Sequence, residues 1–177
     1  MNLYLIGYRC TGKTTVGRRV ADELGWAFTD ADEALEKSAR RSVSDIVRTD
    51  GWQAFRNLES RILTELADYA YMVVATGGGV ILRPENVTLM RQTGRIIWLT
   101  ASPRTILSRM TADPKTERLR PSLTDQSVRD EVLLTLSERL PLYQNAADDI
   151  IDTDDRPVNM ICRDILKTMS PAAEPAS

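Results

Sequence analysis

The sequence contains no histidine, which removes the side chain that most often serves as a general base near neutral pH. Its two cysteines, Cys10 and Cys162, stand far apart without C-x-x-C spacing, so neither a zinc site nor a disulfide framework is expected. Broad positive charge is also missing. The formal net charge is −2, which speaks against the basic surface that non-specific nucleic-acid binding requires. No apolar stretch approaches the ~20 residues of a membrane helix. The opening Met1-Asn2-Leu3-Tyr4-Leu5-Ile6-Gly7 carries no basic segment, and its apolar run is too short for a secretion signal. A cytoplasmic location with both thiols reduced is therefore expected.

What remains is the composition of an ordinary globular protein, 42% hydrophobic and 27% charged. A chain of 177 residues suits one domain, which at that size buries about two-thirds of its unfolded-chain surface. Neither a structural metal nor an oligomer is needed for stability, and a monomer is expected. Short apolar runs alternate with longer helix-patterned segments, the pattern of a parallel sheet with crossover helices. Strands are predicted at about 2–6, 27–29, 72–75, 95–99 and 149–152. Helices are predicted at 13–24, 31–39, 43–67, 84–92, 103–110, 125–144 and 157–168. Ser42 and Ser102 fit helix N-caps, Pro84 fits a first helical position, and Gly25 and Gly94 fit C-caps. Gly51 should bend or interrupt its helix. Residues 111–124, polar and containing two prolines, read as a lid-like loop inside a single domain over 1–169. The Pro- and Ala-rich 170–177 reads as a disordered tail.

Residues Gly7 to Thr14 fit G-x-x-x-x-G-K-[ST] completely, between an apolar strand and a helix. The glycines let successive backbone N–H groups point inward around a phosphate, and the following helix adds its positive end. Lys13 is expected to reach the β- and γ-phosphates of ATP, and the Thr14 hydroxyl to ligand Mg²⁺. Gly7, Arg9, Cys10, Thr11, Gly12 and Thr15 complete this nucleotide cradle. No guanine-recognition Asn/Thr-Lys-x-Asp motif is present, so a small-molecule kinase is favoured over a GTPase.

Asp30 and Asp32 follow the second strand, where ligands of parallel sheets gather. They read either as magnesium and substrate ligands or as N-cap and first-turn acids of the next helix. Gly77-Gly78-Gly79 follows the third strand, either as a backbone that a ligand approaches closely or as a flexible connection. Arg56, Arg109, Arg118, Arg120 and Arg139 are each compatible with a solvated surface. A kinase also needs cations on its transferring phosphoryl group and around an anionic acceptor. Trp52 and Phe55 read equally as pocket wall or as core.

The ordered set of the phosphate loop, Asp30-Ala31-Asp32, Phe55-Arg56 with Glu59, Gly77 to Gly79, Leu119-Arg120-Pro121 and Arg139-Leu-Pro-Leu-Tyr143 resembles shikimate kinase from Leu3 to about Met169. The resemblance implies an α/β fold, a phosphate-loop three-layer sandwich with a five-stranded parallel sheet, like that of nucleoside monophosphate kinases, with a lid. It also implies phosphorylation of the 3-hydroxyl of shikimate by ATP with Mg²⁺, in the route through chorismate to the aromatic amino acids. Catalysis would fall to Lys13, Asp32 and Arg120. Asp32, Arg56, Gly77, Gly78, Gly79 and Arg139 would hold shikimate, with Glu59 orienting Arg56. Arg109 and Pro157 would flank adenine, Arg120 would close over the phosphates, and Thr14 and Asp30 would serve the metal. The loop reads Tyr-Arg-Cys-Thr where small residues are frequent, and the lid lacks the glycines common there; both bear on lid kinetics and nucleotide affinity. Gluconate or a nucleotide as acceptor, or a nucleotide-binding module without turnover, are the alternatives that remain.

Overall fold

The computed structural model describes residues 1–112 and 127–169. Five strands form one wholly parallel sheet: β1 (Asn2–Ile6), β2 (Ala27–Asp30), β3 (Met72–Ala75), β4 (Gly94–Thr100) and β5 (Asp149–Asp152). Their spatial order is β2-β3-β1-β4-β5. Because β1 pairs with β3 on one side and β4 on the other, connections leave β1 and β3 on opposite sides of a crevice. In an open parallel sheet that crevice is where ligands bind.

The helices are α1 (Lys13–Leu24), α2 (Ala31–Ala39), α3 (Val43–Ala67), α4 (Pro84–Thr93), α5 (Pro103–Ala112), α6 (Val128–Ala146) and α7 (Val158–Met169). Alternation along β1 separates two cores, as period-two side-chain geometry requires. Leu3 and Leu5 pack with Val16 and Val20 of α1 and Ile161 and Ile165 of α7. Tyr4 and Ile6 pack on the opposite face with residues of α2, α3, α4 and α6. Three layers result, helices over both faces of the sheet, as the sequence pattern implied.

Local signals account for most element ends. Ser42 Oγ accepts from the Asp45 amide at 3.1 Å, and Ser102 Oγ from the Thr105 amide at 3.2 Å. Gly51 breaks α3 into two helical pieces with φ of 84°, a conformation open to glycine. Gly94 caps α4 as expected, its amide donating to the Met90 carbonyl, but in an extended conformation that also opens β4; a side chain there would strike the Asn2 backbone, so the glycine serves close strand approach as well. One expectation needs correction. The sixth helix spans 128–146, not 125–144, because Ser127 caps it by accepting from the Asp130 amide at 3.3 Å. Helix α5 also runs on to Ala112, so residues 111 and 112, expected in the lid-like loop, are helical; the rest of that segment, with Arg118 and Arg120, lies outside the described residues, as does the tail.

Candidate active site

The phosphate loop leaves β1 at Gly7, where φ is 143° and a Cβ would collide with the Leu99 carbonyl. Only glycine fits this first turn. Lys13 is buried, and its ammonium donates to the Gly7 and Tyr8 carbonyls, each at 2.8 Å. These bonds hold the charge against the loop at the N-terminus of α1, where it adds to the helix's own positive end. The Thr14 hydroxyl donates to Asp30 Oδ2 at 2.7 Å. Asp30 Oδ1 accepts from the amides of Asp32 and Glu33 at 3.0 and 3.4 Å. Asp30 thus both caps α2 and stands beside Thr14, so the two readings of it are compatible. A hydroxyl paired with a carboxylate supplies the hard oxygen ligands that Mg²⁺ prefers. Among the described residues no group of three or more His, Cys, Asp or Glu could hold a metal alone, so a magnesium ion here would rely on phosphate oxygens as well.

Beside this loop lies a pocket lined by Asp32, Arg56, Arg139 and Gly77 to Gly79, and walled by Trp52 and Phe55. Gly77 is tight against two carboxylates: a Cβ on it would lie 2.5 Å from Glu59 Oε1 and 2.9 Å from Asp32 Oδ1. A methyl group on Gly79 would overlap the Arg56 guanidinium. Gly77 and Gly79 are therefore closely approached by the protein's own side chains. Arg56 donates to Glu59 Oε2 at 2.6 Å and lies over the rings of Trp52 and Phe55, 5.5 and 4.9 Å from their centroids. Phe55 is also core, so its two readings both hold. From α6, Arg139 and Tyr143 both donate to the Gly78 carbonyl, at 3.0 and 2.5 Å. Their i,i+4 spacing places them on one helix face. Tyr143 stacks on Trp98 at 5.4 Å, and its burial pushes the phenol well above its ordinary pKa, keeping it a donor.

Glu59 is buried, one oxygen holding Arg56 and the other without a hydrogen-bond partner among the described residues. Burial raises its pKa above the usual 4.5; the Asp32 charge pushes the same way, and Arg56 only partly opposes them. A raised folded-state value means that the folded protein keeps this proton to higher pH than the unfolded chain does. Its stability contribution is therefore full below about 4.5 and is lost as pH rises through the elevated value. Glu59→Gln removes that ionisation. Urea midpoints of the variant should gain on the wild type as pH rises above about 4.5. Curves that stay parallel would contradict the assignment.

On the other side of the loop, a second pocket is lined by Cys10, Gly12, Thr15, Arg109, Arg156 and Val158. Arg109 donates to the Cys10 carbonyl at 3.1 Å and to the Thr153 carbonyl at 2.7 Å, which ties α5 to the loop and to the segment after β5. Pro157 lies between two lining residues and immediately precedes α7, its carbonyl accepting from the Met160 amide at 3.0 Å. Thr11 also lines this pocket, and its hydroxyl donates to the Tyr8 carbonyl at 2.8 Å.

The fold thus brings together every described residue expected to bind an acceptor, in one pocket. Arg9, expected on the nucleotide, lines this same pocket with Asp32, Arg56 and Arg139. Sequence reasoning passed over Tyr8, Glu131, Thr153 and Arg156. Only the spacing from Arg139 to Tyr143 offered a signal for a role of Tyr143; the others are joined by contacts distant along the chain.

A parallel sheet with a phosphate loop at its central strand, and a cation-lined pocket beside that loop, defines a small-molecule kinase with the fold of the nucleoside monophosphate kinases. The family model described as shikimate kinase matches residues 9–170. A shikimate kinase of Nitratidesulfovibrio vulgaris is 41% identical over 163 residues, covering 92% of each chain. A shikimate kinase 2 of Sodalis glossinidius is 39% identical over 172 residues, covering 97% of each. Among solved structures, shikimate kinase from Acinetobacter baumannii in complex with shikimate superposes with a TM-score of 0.88 at 31% identity, covering 95% of this chain and 92% of that one. The chain belongs to the shikimate kinase family.

Proposed function

We infer that this protein transfers the γ-phosphoryl group of ATP to the 3-hydroxyl of shikimate, giving shikimate 3-phosphate and ADP. The observation that carries this reading is that Asp32, Arg56 and Arg139 line one pocket, and that Tyr8 and Arg9 of the phosphate loop line the same pocket. Two guanidiniums suit a carboxylate, and an acidic side chain suits the hydroxyls beside it. Arg56 is held by Glu59 and by two aromatic rings, and Arg139 by Gly78. The clamp is therefore preorganised, which lowers the ordering cost of binding.

In the reaction the 3-hydroxyl oxygen bonds to the γ-phosphorus as the bond to the β–γ bridging oxygen breaks, and ADP leaves with that electron pair. The hydroxyl proton passes to Asp32. Bond-making is slight in the loose transition state, so a carboxylate suffices and histidine is not needed. Lys13 and the loop amides face the phosphates, and by the family resemblance Arg120 joins them from the lid segment. Magnesium held at Thr14, and through water at Asp30, would neutralise phosphate charge.

A coupled assay for ADP tests the reading. Turnover should require shikimate, ATP and Mg²⁺ together, with gluconate and nucleoside monophosphates inactive. No ADP with shikimate, or equal rates with gluconate, would overturn it.

A further inference from the structure

Arg9 occupies a variable position of the phosphate-loop motif, yet it is among the most constrained side chains of the site. It is 10% exposed and pairs through Nη2 with Glu131, which is 1% exposed. Its guanidinium carbon lies 5.5 Å from the centroid of the Tyr8 ring. Its Nε is buried without a hydrogen-bond partner among the described residues. A buried guanidinium N–H left unused is costly, and a ligand oxygen is one means of completing it. As mere glue such a pair is poor value, since desolvating two charges offsets most of their attraction. The carboxylate of an acceptor is already provided for by Arg56 and Arg139. Arg9 instead enters the pocket from the phosphate loop, the side from which a phosphoryl group arrives.

Resting on the reading of the pocket as a shikimate site, we propose that Arg9 binds the phosphoryl group from the acceptor side, during transfer and in the phosphorylated product. Glu131 is its positioning residue. It sits in the first turn of α6, where Ser127 caps the helix, and it holds one edge of the guanidinium in the wall of the pocket that Arg9 lines. The ligand class is a phosphate monoester on a hydroxylated carboxylic acid, as distinct from the nucleotide.

Calorimetry with shikimate, shikimate 3-phosphate and ADP separates these roles. Arg9→Met should weaken shikimate 3-phosphate by about tenfold or more, with shikimate and ADP changed less than about threefold. Arg9→Lys should recover part of the loss, and Glu131→Gln should show a smaller loss with the same selectivity. Since Arg9→Met removes the Arg9 partner of the buried Glu131, the double variant Arg9→Met/Glu131→Gln serves as the folding control. It should melt near the wild type and still bind the phosphorylated acceptor weakly. Unchanged product affinity in Arg9→Met, parallel loss of all three ligands, or recovery of product affinity in the double variant would each overturn the proposal. A wild type that binds neither acceptor form would overturn the functional reading and the proposal together. Normal wild-type binding with an unaffected Arg9→Met variant would overturn the proposal alone.

Discussion

Asp32→Asn should lower kcat by about 10²–10⁴-fold while the affinity for ATP changes by less than about threefold. Asp32 is the second residue of α2, and its amide is fixed by Asp30 at 3.0 Å, so the replacement does not disturb the cap. Its carboxylate faces the acceptor pocket next to Gly77. Asparagine there can still accept a hydrogen bond from the substrate hydroxyl, so binding should survive. It cannot take the proton, and its amide hydrogens would face a hydroxyl that must approach phosphorus with a free lone pair. The loss should therefore fall on kcat and not on KM for shikimate. A kcat within about twofold of the wild type would remove Asp32 from the mechanism.

The second large effect is expected on the carboxylate clamp. Arg139→Ala should cost about 1.5–3 kcal/mol in shikimate binding, roughly 10–150-fold in KM for shikimate, with KM for ATP nearly unchanged. The Gly78 carbonyl keeps the Tyr143 hydroxyl at 2.5 Å, so the glycine run should hold its place. Arg56→Ala should show a similar loss for shikimate but carry an added cost in stability. It leaves Glu59 buried without its hydrogen-bonded cation, with only the charge of Arg139 still opposing burial, so its pKa should rise further. Pairing Arg56→Ala with Glu59→Gln should restore the melting temperature without restoring shikimate affinity. Equal losses for shikimate and ATP in the Arg139 variant would show that the clamp has been misplaced.

Much of this architecture was legible because its causes are local. The unbroken runs Met72 to Ala75 and Ile96 to Leu99 are strands covered on both faces, and each lies within its strand of the structure. The phosphate loop declares itself through its glycines, its lysine and the strand before it. Ser42, Ser102 and Pro84 mark helix starts by chemistry that acts over a few residues. Gly94 shows the limit of such reasoning. Its cap of α4 was legible, but the Asn2 backbone of the neighbouring strand also requires a glycine there, and that neighbour is remote in sequence.

The same limit applies to the site. Residue types and order could nominate Asp32, Arg56 and Arg139, but only the order β2-β3-β1 sets the glycine run beside the phosphate loop. The pairing of Arg9 with Glu131 joins residues 122 positions apart, and no local pattern encodes it. Arg156 enters the nucleotide-side pocket because β5 lies beside β4 and delivers the start of α7 there. Local periodicity thus determines the elements, while the assignment of each polar side chain to one ligand or another depends on how the strands are ordered.

The most direct test is a structure of the protein with shikimate and a non-hydrolysable ATP analogue. The shikimate carboxylate should meet both Arg56 and Arg139, with the 3-hydroxyl on Asp32 and facing the γ-phosphate. A carboxylate held by Arg9 or Arg109 instead, or a 3-hydroxyl turned away from Asp32, would contradict the account.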